Sequence, residues 1–512
     1  MSRRVRFART AAALALVTLV ASCGSGGAAT GIPVADGELR LAAQFVPRSG
    51  YAMDTDDAYG LYQLGVTETL VAAGSDGRVR PGLATDWTPV DDRTWRFTLR
   101  PGVTFQDGTP LTPEAVATAL GWVAGVAAPP RAVKGIGLTA AADGTGAVRV
   151  STAKPDPILP LRLSSVNTAI LAPSAYEPGT PPSVRGTGTG PMRLVEAEGN
   201  RTARLERNDS YWGGRAQLAR VAVQYVTDPT ARALALRAGD VDIAQGLPES
   251  SLLEFTGPNG YDNQTVPAPR TASLLLNLSA KPFDDLRARQ AVAKAIDRTA
   301  LAEQALAGSA TPASELFGGA VPFGSTDAPA PADPAGARAL LEQAGYGPQN
   351  PLRVRLATYP NRAELPTLAT AVQGMLREVG IDAQIRVAEY APQEAQILAG
   401  DFDMFVLSRS YLTDVPDAGA TLSSDYSCAG SYNVNHYCSA EFDALIGPLS
   451  TSTDPLARQA IFRQAARKLV DDVAGVPLIH SQENGVARGV SGYTVDPLGK
   501  RLVTTGLTRT SS

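Results

Sequence analysis

Histidine is nearly missing from this chain, with two residues in 512. Neither His436 nor His480 stands in a serine or cysteine pattern that would pair a nucleophile with a base, so no enzyme activity is expected. A metal centre built from protein groups alone needs several His or Cys ligands. With two histidines and three cysteines, none is expected. Basic charge is also short: 46 Lys+Arg stand against 50 Asp+Glu, a formal net charge of −4, which gives no sign of a nucleic-acid partner. Beyond the first 22 residues, no run is long and apolar enough for a transmembrane helix. The one nucleotide-loop-like run, GTGTG at 186–190, is followed by Pro191 and an alternating MRLV. It leads into a strand and not a helix, so it reads as a tight turn between domains. No cofactor is expected.

The composition is otherwise that of a globular protein, with 44% hydrophobic and 19% charged residues, and the length suits two or three domains. Arg3, Arg4, Arg6 and Arg9 precede an apolar stretch at 11–21 too short to span a bilayer. The stretch ends in VASC at 20–23, which resembles the lipobox of bacterial lipoproteins, with Cys23 as the lipidated residue. An ordinary signal peptide with a chance cysteine is the alternative. Residues 1–22 then read as a signal peptide with lipobox and the Gly/Ala-rich 23–36 as a flexible tether. Removing four Arg from the 46 basic residues leaves 42 against 50, a net −8. The expectation is an acidic body outside the cytoplasm, lipid-anchored to the outer face of the membrane. Cys428 and Cys438 remain as an even pair, and export favours a disulfide between them over two free buried thiols. Such a short closure contributes roughly 2–3 kcal/mol in the loop-entropy model.

Several elements can be read from local signals. GELRLAAQF at 37–45 alternates like a first strand. Strands separated by Asp-Gly turns, with a helix opening at Thr112-Pro113, make a small α+β unit. DAPAPADP at 327–334 is a stiff surface connector. Residues 352–359 read as a strand, 364–379 as an amphipathic helix with Gly380 just past its end, and 381–387 as a second strand. A last helix spans 455–473, capped by Asp454 and with Gly475 just beyond it.

The block PGLATDW at 81–87, WRFTLR at 95–100 and GVTFQDGTPLT at 102–112 is similar to the family 5 extracellular solute-binding proteins of ABC importers. Further likenesses follow in the family's order: GTGP at 188–191, LERN at 205–208, YWGG at 211–214, ARALALRAGDVDI at 231–243, PFDD at 282–285 and VPL at 476–478. Gln106 and Ala115 depart from the family's usual His and Asp. The resemblance implies an α/β, two-lobed, class II periplasmic-binding-protein-like fold with an additional small α+β domain. Lobe I would take 37–59, 161–270 and 481–512, the extra domain 60–160, and lobe II 271–480. Two crossings near 271–278 and 478–487 would form a hinge of two crossing strands. It also implies capture of di- or oligopeptides between the lobes and their delivery to an ABC permease and its ATPase. Nickel or a metal–chelator complex is the alternative ligand within the family; a chaperone or interaction role for a surface lipoprotein is the alternative outside it.

For the ligand site, the stretch 402–438 carries most of the signal. An apolar strand at 402–408 is followed by Arg409, Tyr411, Asp414 and Asp417. Loops leaving a buried strand are where α/β proteins place ligand groups. These side chains suit a ligand bearing both an amine and a carboxylate. In the family's peptide binders an Asp in a similar segment receives the α-ammonium, and the resemblance puts Asp414 there. Arg409 is either a carboxylate clamp or an internal partner of Asp414 or Asp417. His436, inside the 428–438 loop, either lines the cleft, touching ligand or a chelated metal, or sits on a polar surface loop. Asn277, in the LLN motif at 275–277, is a further candidate. His480 reads as a satisfied residue near the hinge.

Overall fold

The computed structural model describes residues 32–256, 259–360, 362 and 364–511. The expected signal segment, Cys23 and the expected tether up to residue 31 lie outside the described residues.

Two long strands organise the chain. Tyr261–Leu276 and Val476–Arg488 run antiparallel, paired from Tyr261↔Arg488 to Leu274↔Val476. Their register breaks between Pro267 and Thr271. Pro267 and Pro269 have no N–H to give a ladder, so the pairing yields where both strands cross from one lobe to the other. On the lobe I side the sheet continues through Ile243–Gln245, Glu38–Ala43, Arg220–Tyr225, Thr202–Arg207 and Met192–Glu198. On the lobe II side it continues through Met404–Ser410, Leu352–Thr358 and Ile381–Val387. Glu38–Ala43 pairs in parallel on both sides, so its burial is near-continuous and not strictly alternating. Residues 32–36, expected as the end of a tether, are pinned instead. The Val34 N–H donates to the Arg509 carbonyl at 2.8 Å, and Asp36 meets Arg207 at 2.7 Å.

The small domain folds as expected around a four-stranded antiparallel sheet, ordered Ala84–Pro89, Thr94–Leu99, Ala147–Ser151, Thr139–Ala142. Helix Pro113–Gly125 covers it, with the Thr112 hydroxyl accepting from the Ala115 N–H at 3.2 Å. Phe97 and Phe105 are fully buried in this core, each contributing roughly 1.5–3 kcal/mol. The GTGTG run joins the small domain to lobe I. A Cβ on Gly188 would sit 2.2 Å from the Val66 carbonyl oxygen, and one on Gly190 2.2 Å from that of Gly65. Only glycine allows this approach. Gln106 completes the junction, its Nε2 donating to the Met192 carbonyl at 2.8 Å.

Lobe II has two cores. One packs helix Glu364–Glu378 against its sheet through Leu365, Leu368, Val372 and Leu376. The other gathers Phe317, Phe323, Leu422, Phe442 and Phe462 beneath helices Ala418–Tyr426, Ala440–Ile446 and Pro455–Asp471. The last helix begins as its sequence indicates, with Asp454 accepting from the Leu456 N–H at 2.9 Å. It stops at Asp471, two residues earlier than expected, because Val473 turns into a positive φ of 46°.

Candidate functional site

The loop after strand Met404–Ser410 leaves lobe II and reaches the small domain. The strand ends two residues later than expected because its pairing with the hinge strand continues to Arg270↔Ser410. Val415 is buried in the small-domain core, and the Pro416 carbonyl faces Gly77 of the small-domain hairpin. Just before these anchors Asp414 stands half exposed, its Oδ2 3.5 Å from the Arg131 Nε of the small domain. The Arg131 guanidinium also lies 5.1 Å from the Tyr432 ring, and Arg409 covers the same ring at 4.5 Å. Burial pushes the Tyr432 phenol up to about 12.

A second group of charges gathers at the hinge beside Ser410. Arg270 and Glu483 come from the two crossing strands, and Arg362 and Glu364 from the edge of lobe II. Burial, with Arg362 adding to it, lowers Arg270 to about 10. Burial raises the Glu483 carboxyl, against the pull of Arg362 and Arg270. Arg362 approaches Glu364 only at 3.9 Å. Among the described residues, no side-chain hydrogen bond or ion pair engages Arg270 or Glu483. Tyr59 closes the floor, its hydroxyl donating to the Leu498 carbonyl at 2.8 Å while Phe45 stands edge-on at 5.5 Å. Charged groups sunk in this way and left unpaired are available to a charged solute.

Not all the expected site residues gather here. Asp417 caps helix Ala418–Tyr426 and forms a bidentate pair with Arg458 at 2.7 and 2.9 Å, both side chains 5% exposed. Its charge is spent internally, which corrects its place as a ligand group. Tyr411 is 2% exposed, turned edge-on to Phe317 at 4.9 Å inside the second lobe II core. Arg409 does pair internally, but with Asp425 at 2.8 Å, sixteen residues on, and not with Asp414 or Asp417. Asn277 is 5% exposed, its Nδ2 donating to the Gly400 and Phe402 carbonyls at 3.0 and 3.2 Å. His436 approaches the same Gly400. That meeting point is the opposite end of the lobe II sheet, where Leu276 pairs with Met404. Six residues of strand, roughly 20 Å, separate it from Ser410. Cys428 and Cys438 are disulfide-bonded there, beside a hollow of about 300 Å³ that His436 lines.

His480 is satisfied at the hinge. The Thr271 hydroxyl donates to the Leu316 carbonyl at 2.7 Å, so the His480 Nδ1, 2.9 Å from the same oxygen, is the donor to it. Burial lowers this imidazole to about 4. Among the described residues, no group of three His, Cys, Asp or Glu side chains is placed to hold a metal.

The family's sequence model, described as bacterial extracellular solute-binding proteins, family 5 middle, matches residues 78–433. The chain belongs to this family. The nickel-binding periplasmic protein of Escherichia coli (strain K12) is 28% identical over 443 residues, 81% of this chain and 83% of that one. The periplasmic murein peptide-binding protein MppA of the same strain is 27% identical over 481 residues, 87% and 88% of the two chains. Among solved structures, NikA from Brucella suis in complex with Fe(III)-EDTA superposes with a TM-score of 0.82 at 27% identity, covering 93% of this chain and all of that one. OppA of Haemophilus influenzae complexed with RPPGFSPFR, at 20% identity, shares the fold with a TM-score of 0.75 over 94% of this chain and all of that one. Family 5 proteins bind solutes for transporters, and the two-lobed α/β architecture described above is theirs.

Sequence reasoning missed Arg131, Arg270, Arg362 and Glu483. A signal existed for two of them. Arg270 and Glu483 are charges inside stretches that otherwise read as buried strand, and such charges need a reason.

Proposed function

We propose that this protein is the substrate-binding component of an ABC importer and that it takes short peptides between its lobes. The supporting observation is the pair of charge groups at one end of the lobe II sheet. Asp414 offers a half-exposed carboxylate, and Arg270 and Arg362 offer guanidiniums with no strong partner. A peptide's α-ammonium would take Asp414 and its α-carboxylate the hinge arginines. Ser410, beside Arg270, and Asp414 are four residues apart, so the span is at most about 14 Å of chain. That length suits a di- to tetrapeptide. Arg131 already neutralises part of Asp414, so an arriving ammonium competes with or joins that pair. Because Asp414 belongs to lobe II and Arg131 to the small domain, ligand binding and lobe closure are energetically linked.

A second reading rests on the same two arginines. A metal bound in a carboxylate chelator brings its own ligands, and its outer carboxylates would meet Arg270 and Arg362. Lipid on Cys23 would keep the body at the outer face of the membrane; Cys23→Ala should release it from the membrane fraction.

The test is thermal unfolding of the body from residue 24 onward, with di- to pentapeptides, Ni²⁺ alone, and Ni²⁺ with histidine or a carboxylate chelator. Ligand at about 100 times its dissociation constant adds about 2.7 kcal/mol. A shift with peptides supports the reading. A shift only with chelated nickel moves it to the second, and no shift with any member overturns both.

A further inference from the structure

A cavity of about 420 Å³ opens between the small-domain hairpin and the C-terminal loop of lobe I. Lys500 lines it and is only 4% exposed, and its Nζ has no hydrogen-bond partner among the described residues. Arg501 and Arg80 line the same cavity. Arg80 is tied to Asp76 at 2.6 Å; the Arg501 side chain is exposed, with no ion pair among the described residues. The cavity's other carboxylate, Asp496, is occupied. It accepts from the backbone N–H groups of Leu498, Lys500 and Arg501 at 3.1, 2.9 and 3.0 Å, which sets the turn that points Lys500 inward. The Ser164 hydroxyl, which also lines the cavity, is already donating to the Leu161 carbonyl at 2.7 Å, so its oxygen can only accept.

We infer that this cavity is an anion site, with Lys500 as its buried charge and Arg501 and Arg80 as its outer cations, taking a carboxylate or phosphate group. A buried ammonium without a partner is costly, and the cost is recovered when an anion arrives. Burial lowers Lys500 to about 8 against the opposing pull of Asp414 and Asp496. Asp414 is thus electrostatically in touch with the cavity. An acidic group of the transported solute is one source of the anion, and a free small anion is the other. The site does not depend on the peptide reading, because its cations and its space are complete without a peptide.

Two sets of probes separate the sources: inorganic phosphate and succinate on one side, alanyl-aspartate against alanyl-asparagine on the other. Each is titrated by calorimetry and thermal unfolding into the wild type, Lys500→Met, Lys500→Arg and Asp414→Ala. Methionine fills the lysine's place without charge, so Lys500→Met is expected to fold and, without anion, to unfold at a higher temperature than the wild type. The expected result is binding of at least one anionic probe that weakens tenfold or more in Lys500→Met and is restored in part by Lys500→Arg. Binding should take up protons near pH 8 and weaken by up to tenfold per pH unit above it. The groups facing Lys500 are Asp76 and Arg80 on the hairpin, Tyr62 on helix Asp57–Gln63, Asp496 and Arg501 on its own loop, and Asp414 across from it. The Lys500→Met comparison removes their contributions. Preference for alanyl-aspartate in the wild type alone assigns the anion to the solute, and phosphate or succinate binding assigns it to a free ion. Either supports the site. If no anionic probe binds, or if Lys500→Met binds them as well as the wild type, the inference is overturned. Failure of the peptide reading looks different: alanyl-asparagine would not bind, and Asp414→Ala would weaken the binding of no probe.

Discussion

The two ends of the lobe II sheet carry similar side chains to opposite effect. At one end, where Ser410 meets Arg270, Asp414 is half exposed, and among the described residues its one ion pair is with Arg131 at 3.5 Å. At the other, around Gly400, Asn277 has its amide nitrogen and oxygen engaged and the backbone is closed by the Cys428–Cys438 disulfide. Within the loop itself the contrast repeats over three residues. Asp414 is available, whereas Asp417 is buried against Arg458. A polar residue near a strand end is therefore not a ligand group by position alone. What separates the two kinds is whether the fold already supplies a partner. A carboxylate with a buried arginine maintains structure; one left with a long, exposed pair can exchange it for a ligand.

The largest effect should come from breaking the pair that the comparison calls structural. Arg458→Ala leaves Asp417 charged and buried, and should cost about 3–5 kcal/mol in denaturant unfolding. Peptide affinity of the fraction that remains folded should not change. A smaller effect is pH-dependent. His480 is neutral when folded, with its ordinary value near 6.5 lowered to about 4, so the unfolded chain binds the extra proton. Stability from this group is full above about 6.5 and falls as pH drops towards 4, by about 3 kcal/mol at most. His480→Asn should flatten that slope, measured as the difference between the two unfolding curves across pH 4–7.

Next, Cys428→Ser with Cys438→Ser opens a ten-residue closure and should cost roughly 2–3 kcal/mol. If the far end is purely structural, ligand affinity stays put; a tenfold loss would place the disulfide loop in the site and break the comparison. Smallest in stability is Asp414→Ala, expected within about 1 kcal/mol of the wild type because its pair is half exposed. Its effect belongs in binding instead.

These contrasts also mark what the sequence can and cannot show. Helix Pro113–Gly125 and its Thr112 cap, Asp454 at the start of the last helix, and the strand after GTGTG were legible because capping and turn chemistry act over a few residues. Two crossing strands were legible from the family pattern, but the main break in their pairing lies at Pro267–Thr271, ahead of the 271–278 crossing it implied. The partners were not. Asp414 meets Arg131 from another domain, and Arg409 finds Asp425 across a helix rather than either nearby Asp. Spacing along the chain carries no record of which distant segment returns to a given side chain. The same blindness joined His436 and Asn277 to a site from which a whole strand length separates them.

The most direct test is of Asp414 as the acceptor of a peptide's ammonium. Trialanine and its N-acetyl form would be titrated by calorimetry into the wild type and Asp414→Asn. The account predicts that acetylation weakens binding to the wild type by tenfold or more and costs Asp414→Asn little further, because the partner of the lost charge is already gone. Equal losses from acetylation in both proteins would contradict it and put the ammonium, and the ligand, elsewhere in the cleft.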